Sequence, residues 1–190
     1  HTDYNDGFVL PCAIDFHTRI AARPRADATV RVVAADVKGA QDRFYVDEPI
    51  DHDTRQPWTD YVRGVFAMLA ARGIALRGAE LAIAGNVPQG AGLSSSAALE
   101  VAVGLTVREL QGLSGLTPTD LALIAQSAEN QFAGCQCGIM DQLISARGEA
   151  GHALLIDCRS LAAQPVPLPE GLAVMIVHSN VRRGLVDSEY

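Results

Sequence analysis

The chain has 190 residues, 48% of them hydrophobic and 19% charged, which is typical of a globular protein long enough to bury a core. Its net charge of −7 argues against nucleic acid or an anionic membrane surface as the main partner. The apolar runs are too short for a membrane span, we expect no signal peptide, and the spacing of the four cysteines fits no zinc site. We therefore expect a cytoplasmic protein with reduced thiols, and disulfides are the less favoured alternative.

Both ends of the chain suggest a cut. The chain begins at His1 within a polar, motif-like stretch and stops at Tyr190, shortly after an apolar run. We expect residues 1–190 to form one domain of a longer protein.

The first half of the chain is predicted to contain four strands and one helix. The strands are predicted over residues 9–14, 28–35, 43–46 and 80–87. Apolar residues at helical spacing between Tyr61 and Leu69 predict a helix that ends at Gly73. A loop rich in glycine and serine follows the fourth strand.

The second half alternates helices and strands less regularly. One face of a long helix is predicted to be formed by Leu99, Val103, Val107 and Leu110. Thr117 and Pro118 predict the start of the next helix, as N-cap and first helical residue. A further helix is predicted over 139–147, with buried strands over 152–157 and 172–178. Because strands and helices do not alternate strictly, we expect an α+β fold, a mixed sheet with helices packed on it.

Residues 87–98 are the most informative stretch, because two glycines and three serines lie between a predicted strand and a predicted helix. Glycine allows the backbone to pass close to an anion, and the first amides of a helix have no intrahelical acceptor. The lysine of the common phosphate-binding loop is missing, so a nucleotide here requires a different architecture. The stretch favours phosphate binding, and the alternative is a serine N-cap after a tight turn.

Three side chains could act together on a phosphate. Ser96 and Glu129 offer the hard oxygen ligands that Mg²⁺ prefers, and Asp141 could deprotonate or orient an acceptor hydroxyl. Each carboxylate has a plainer alternative. Glu129 could be a solvated helix residue, and Asp141 could simply be favoured by a helix dipole.

The polar stretch 1–7 could bind sugar hydroxyls through His1 and Asp3. The plainer interpretation of the same stretch is a turn formed by asparagine, aspartate and glycine.

Several of these stretches together resemble a known family. Residues 1–11 look like the galactokinase signature, and residues 88–98 resemble the ATP loop of the wider GHMP kinases. Residues 137–142, 179–182 and 188–190 are also similar to galactokinases. The resemblance runs from one end of the chain to the other.

The resemblance implies a fold similar to domain 2 of ribosomal protein S5 and transfer of the ATP γ-phosphate to the anomeric hydroxyl of galactose. By family position, Asp141 would be the catalytic carboxylate, and Ser96 and Glu129 would bind Mg²⁺. The sugar would be contacted by His1, Asp3, Gly138 and Tyr190. ATP would be contacted by Pro88, Gly90, Ala91, Gly92, Leu93, Ser94, Ser95, Ser96, Ala97 and Trp58.

The chain also departs from the family. An arginine and a glutamate that precede the histidine in the signature are absent, as is the C-terminal domain with its glycine-rich motif. We therefore expect little activity from residues 1–190 alone, and a monomer for the full-length form. Two alternatives remain open: a non-catalytic galactose and ATP sensor on the same scaffold, and a kinase for N-acetylgalactosamine.

Overall fold

A computed structural model describes residues 2–177 of the chain. Its strands are β1 (Phe8–Val9), β2 (Thr18–Pro24), β3 (Thr29–Ala34), β4 (Ala40–Tyr45), β5 (Ala79–Gly85), β6 (His152–Asp157) and β7 (Ala162–Pro167). Its helices are α1 (Thr59–Ala71), α2 (Ser95–Gln111), α3 (Pro118–Ser127) and α4 (Met140–Arg147), with a 3-10 turn at Asp3–Asn5 and a π-helical turn at Ala128–Phe132. The predicted α+β class is confirmed.

The strands form two sheets. The larger has the order β2-β5-β3-β4, in which β3 and β5 are parallel and the other pairs antiparallel. The smaller has the order β1-β6-β7 and is antiparallel throughout. Helices pack on these sheets as expected, but the strands are divided between two sheets.

One face of the larger sheet is buried under helices. Along β3, Val30 and Val32 are buried whereas Arg31 and Val33 are exposed, as the two-residue period of a strand requires. The buried face packs against apolar residues of α1, α2 and α3, and Phe66 is fully buried there. The opposite face stays open.

A second core lies under α4 and the smaller sheet, with Leu143 and Ile156 fully buried. Helix α3 contributes to both cores, because Ile124 belongs to the first and Ala122 to the second. The two cores therefore meet along α3 and the π-helical turn that follows it.

The predicted start of α3 and the glycines predicted to end α1 and α2 are confirmed. Thr117 caps α3, accepting a hydrogen bond from the Asp120 amide, while the Asp120 carboxylate accepts one from the Thr117 amide. Gly73 lies two positions after the end of α1 and Gly112 lies directly after α2, and both adopt the left-handed conformation, where glycine costs little.

Strand predictions were less accurate. The strand expected over 9–14 is limited to β1 and an isolated bridge at Cys12. β2 and β7 were not predicted, because β2 buries almost nothing and β7 contains two prolines, which only edge strands tolerate. The strand expected over 172–178 is wrong for residues 172–177, which pair with no strand in the part of the chain that the structure describes. All four cysteines are free, and none of the helices within residues 2–177 is long and apolar enough to cross a bilayer.

Candidate active site

The glycine–serine loop joins β5 to α2 in a strained conformation. Gly90, Gly92 and Ser94 have φ angles of 67°, 72° and 58°. Glycine adopts this region at no steric cost, but a serine there is uncommon and marks a backbone held by its surroundings. Although Ser94 occupies the N-cap position of α2, its side chain makes no capping hydrogen bond. The loop therefore differs from an ordinary serine cap, and the first amides of α2 remain free to donate.

Glu129 lies in the π-helical turn, where it is only 3% exposed. Such turns within helices are frequent at functional sites. Gly64 of α1 packs against this turn so closely that an added Cβ would lie 3.0 Å from the Cβ of Phe132. The alternative of a solvated helix residue is therefore wrong for Glu129.

The Glu129 carboxylate is held by neutral donors. Nε2 of Gln142 donates to its Oε2 at 2.7 Å, and Sγ of Cys137 lies 3.5 Å from the same oxygen. Burial raises the pKa of Glu129, hydrogen bonds from Ser96 and Cys137 oppose that shift, and the charge of Asp141 adds to it. Ser96 and Glu129, separated by 33 positions in sequence, thus meet in space.

Asp141 is the second residue of α4, as its position at a predicted helix start required. Burial raises the pKa of Asp141, a hydrogen bond from the Ser94 side chain opposes the shift, and the charge of Asp3 adds to it. Asp141 thus lies close to both the serine loop and the N-terminal 3-10 turn. None of the ion pairs formed within residues 2–177 involves Asp141, Glu129 or Asp3.

Asp3 and Gly138, both predicted to contact the sugar, are in direct contact with each other. A Cβ added to Gly138 would overlap the carboxylate of Asp3. Oδ1 of Asp3 is buried and has no hydrogen-bond partner among residues 2–177. Because such an atom is costly to leave unsatisfied, it is suited to accept a hydrogen bond from a ligand.

Trp58 lies beside the serine loop. It precedes α1 and lines a cavity of about 130 Å³ together with Val37, Ile83, Val87, Gln89, Ser95 and Leu99. The lining is mostly apolar, which suits a flat aromatic ring. The structure therefore brings Trp58 and the loop residues together, although they lie more than 25 positions apart.

Two buried polar residues of the site were missed by sequence reasoning. Glu100, one helical turn after Ser96, is fully buried and lies beside Glu129 and Gln142. Burial and the charge of Glu129 raise its pKa well above the ordinary value. Gln142 is 1% exposed. A signal for Glu100 existed, because it shares the buried face of α2 with Val103 and Val107.

Some predicted positions are not brought into the site. His1 and Tyr190 lie outside the residues that the structure describes. Ala97 is buried, with 1% of its surface exposed. The remaining loop positions, Pro88, Ala91, Leu93 and Ser95, lie in the loop or at the start of α2, as predicted.

A larger cavity of about 1070 Å³ lies on the open face of the larger sheet and contains no predicted site residue.

Two family models match the chain. The model described as the GHMP kinases N terminal domain matches residues 60–149, which include the serine loop, Glu129 and Asp141. The galactokinase galactose-binding signature matches residues 1–24, which include Asp3.

Solved structures agree with both matches. Galactokinase of Lactococcus lactis, solved in complex with galactose, is 36% identical, superposes with a TM-score of 0.82, and is matched over 88% of this chain and 43% of its own. Mevalonate kinase of Methanococcus jannaschii is 17% identical, with a TM-score of 0.66 over 87% of this chain and 51% of its own. A match at this identity shows the fold alone. Residues 60–149 therefore match the N-terminal domain of the GHMP kinases, and residues 1–24 match the galactose-binding signature of the galactokinases.

Proposed function

Since the chain is a galactokinase-like GHMP kinase domain, we propose that it is the sugar- and ATP-binding part of a galactokinase. That enzyme would transfer the γ-phosphate of ATP to the C1 hydroxyl of galactose. One observation carries the proposal: Asp141 lies near Ser94 of the glycine–serine loop and near Asp3 of the galactose-binding signature, which packs against Gly138 just before α4. A phosphate donor and a sugar acceptor bound to those two segments would meet at Asp141.

The loop is suited to the triphosphate. The positive φ angles of Gly90 and Gly92 turn the backbone sharply in front of α2, whose first amides are free donors. The helix dipole favours negative charge at the same place. The adjoining cavity lined by Trp58 would take the adenine ring.

Mg²⁺ fits the donors present. Ser96 supplies a hydroxyl and Glu129 a carboxylate, both hard oxygen ligands, and the two lie close together. Within residues 2–177 no group of three or more histidine, cysteine, aspartate or glutamate side chains could hold a metal alone. A site with few protein ligands suits Mg²⁺, which commonly takes its remaining ligands from phosphates and water. When bound, Mg²⁺ would neutralise charge developing on the phosphate oxygens.

Asp141 would act on the acceptor. A carboxylate whose pKa is raised by burial is a better base for a sugar hydroxyl than a solvated one, and the Ser94 contact would fix its direction. Asp3 would accept a hydrogen bond from the sugar through its unpaired Oδ1, and Gly138 would leave room for that carboxylate. His1 and Tyr190 would complete the sugar contacts.

The proposal concerns an enzyme larger than this chain. The chain spans 43% of the Lactococcus lactis galactokinase that it matches. We propose that residues 1–190 alone have little activity, because an arginine and a further domain of the family pattern are absent. We also propose that the complete enzyme is a cytoplasmic monomer.

The test is product formation by the complete protein that carries this sequence. Incubation with ATP, Mg²⁺ and galactose should give galactose 1-phosphate, detected by ³¹P NMR, at a rate far above that with N-acetylgalactosamine. Faster turnover of the acetylated sugar would identify the alternative kinase. Binding of galactose and ATP without product would identify a sensor and overturn the proposal.

A further inference from the structure

Gln142 is a polar residue buried beside Glu129, the proposed cation ligand. It follows Asp141 on α4 and is 1% exposed. Its Nε2 donates to Oε2 of Glu129 at 2.7 Å and lies 3.5 Å from Sγ of Cys137. A single amide thus joins α4, the π-helical turn and the loop between them.

We propose that Gln142 is a positioning residue, whose amide holds the Glu129 carboxylate in the orientation that binds the divalent cation of the nucleotide. The inference rests on the proposed function, which assigns Glu129 to that cation. It goes beyond that function by naming a residue that does not touch the cation and still sets its affinity. Residues that hydrogen-bond to metal-ligating carboxylates commonly have this effect.

The amide fixes the carboxylate in a defined way. A glutamate has three rotatable bonds, so an unbound carboxylate would sample several rotamers and lose entropy on binding a cation. A short hydrogen bond to Oε2 determines which oxygen is engaged by the protein. Because the amide is neutral, it leaves the negative charge of the Glu129 carboxylate in place, whereas an arginine or lysine would neutralise it.

The loop that carries Cys137 is itself held firmly against the π-helical turn. The Cys137 amide donates to Oδ1 of Asn130 at 2.8 Å, and Nδ2 of Asn130 donates back to the Cys137 carbonyl at 3.3 Å. Nε2 of Gln126 donates to the same carbonyl at 3.2 Å. These three hydrogen bonds therefore hold the loop that leads into α4, and with it Gln142, against the turn that carries Glu129.

Helix α4 would in this way position both functional carboxylates. Asp141 and Gln142 are neighbours in the chain, and one contacts Ser94 while the other contacts Glu129. The proposed base and the proposed cation ligand thus depend on the same helical turn. A purely structural role for Gln142 would instead predict lost stability without any change in cation affinity.

The test compares Q142M with Q126M in the complete protein. Methionine keeps the length of the side chain and removes the donor. Gln126 is a matched control, because it donates to the same loop and, among the hydrogen bonds of residues 2–177, makes none to Glu129. Mn²⁺ affinity, measured by electron paramagnetic resonance in the presence of ATP, should fall about 10-fold or more in Q142M and stay within twofold in Q126M. The dissociation constant for galactose should be unchanged in both.

A third variant, E129Q, distinguishes failure of the cation assignment from failure of the inference about Gln142. If E129Q leaves Mn²⁺ affinity unchanged, the cation assignment and this inference both fail. If E129Q weakens binding and Q142M does not, only the inference about Gln142 is overturned. Should Q142M fail to fold, the side-chain amide signal of Gln142 in the unmodified protein provides the test. It should shift on addition of ATP with Mg²⁺ and not with galactose, and a signal that does not shift would overturn the inference.

Discussion

Two groups of carboxylates on this domain have opposite electrostatic surroundings. On the open face of the larger sheet, Glu80 lies in register with Arg23 on one neighbouring strand and Arg31 on the other. It forms ion pairs with Arg23 at 2.5 Å and Arg25 at 2.7 Å. Hydrogen bonding to Arg23 is the main cause that lowers the pKa of Glu80, even though partial burial opposes it.

In the candidate active site the carboxylates have the opposite surroundings, and their pKa values are raised rather than lowered. Burial is the main cause that raises the pKa of Asp141, Glu129 and Glu100, and none of the ion pairs within residues 2–177 involves them. An accumulation of buried, uncompensated acids destabilises a fold, so it indicates a place where a ligand or cation completes the charge balance. Cavity size would instead favour the open face of the larger sheet as the functional site, because the larger cavity lies there, where the charges are paired. Charge compensation is therefore the better guide to function here.

The largest expected difference between the two groups is in catalysis. In the complete enzyme, D141N should lower kcat by about 10²–10⁴-fold, because the base for the sugar hydroxyl is lost. Dissociation constants for ATP and galactose should change little. E80Q, which alters a carboxylate of the open face, should leave kcat within twofold. A coupled assay of ADP release measures both, and equal losses in the two variants would contradict the comparison.

A smaller effect is expected from the contact between Gly138 and Asp3. In G138A the new methyl group must displace the Asp3 carboxylate, at a cost of about 1–3 kcal/mol. We expect galactose affinity to fall about 10–100-fold, since each 1.4 kcal/mol is tenfold. The matched control is G115A, whose added Cβ would meet nothing within 4 Å. Calorimetric titration with galactose should show normal affinity for G115A, and normal affinity for G138A would remove Asp3 from the sugar site.

The smallest effect concerns the pH dependence of the free energy of unfolding. Because the pKa of Asp141 is raised on folding, the folded state binds the proton more tightly, and stability falls as pH rises above the ordinary value of 3.8. D141N should therefore gain about 0.5–2 kcal/mol over the unmodified protein by pH 7. Because the pKa of Glu80 is lowered, its stabilisation is present above 4.5 and lost as pH falls below that value.

E80Q should accordingly be less stable than the unmodified protein at pH 7, and the difference should vanish in acid. Urea unfolding between about pH 2 and pH 8 gives the two differences directly. Curves that move in the same direction for D141N and E80Q would show that the two groups of carboxylates do not differ as described.

The sequence alone identified the helices, the N-cap of α3 and the glycine–serine loop, because each depends on neighbours within a few positions. Thr117 and Asp120, for example, satisfy one another across a single turn. Residue chemistry offered Asp3, Glu129 and Asp141 as candidates and the family resemblance gave them roles, but neither indicated their surroundings. Edge strands β2 and β7 were missed because they bury few side chains, so no alternating pattern was present to detect.

Only the tertiary structure decided which polar groups are buried together. Ser94 and Asp141 are 47 positions apart, and Asp3 and Gly138 are 135 apart, so no local pattern could place either pair in contact. The burial of Glu129 depends on how closely α1 packs at Gly64, and the role inferred for Gln142 depends on where α4 begins. Desolvation and hydrogen bonding act over a few ångströms, and the folded chain alone determines which residues come that close.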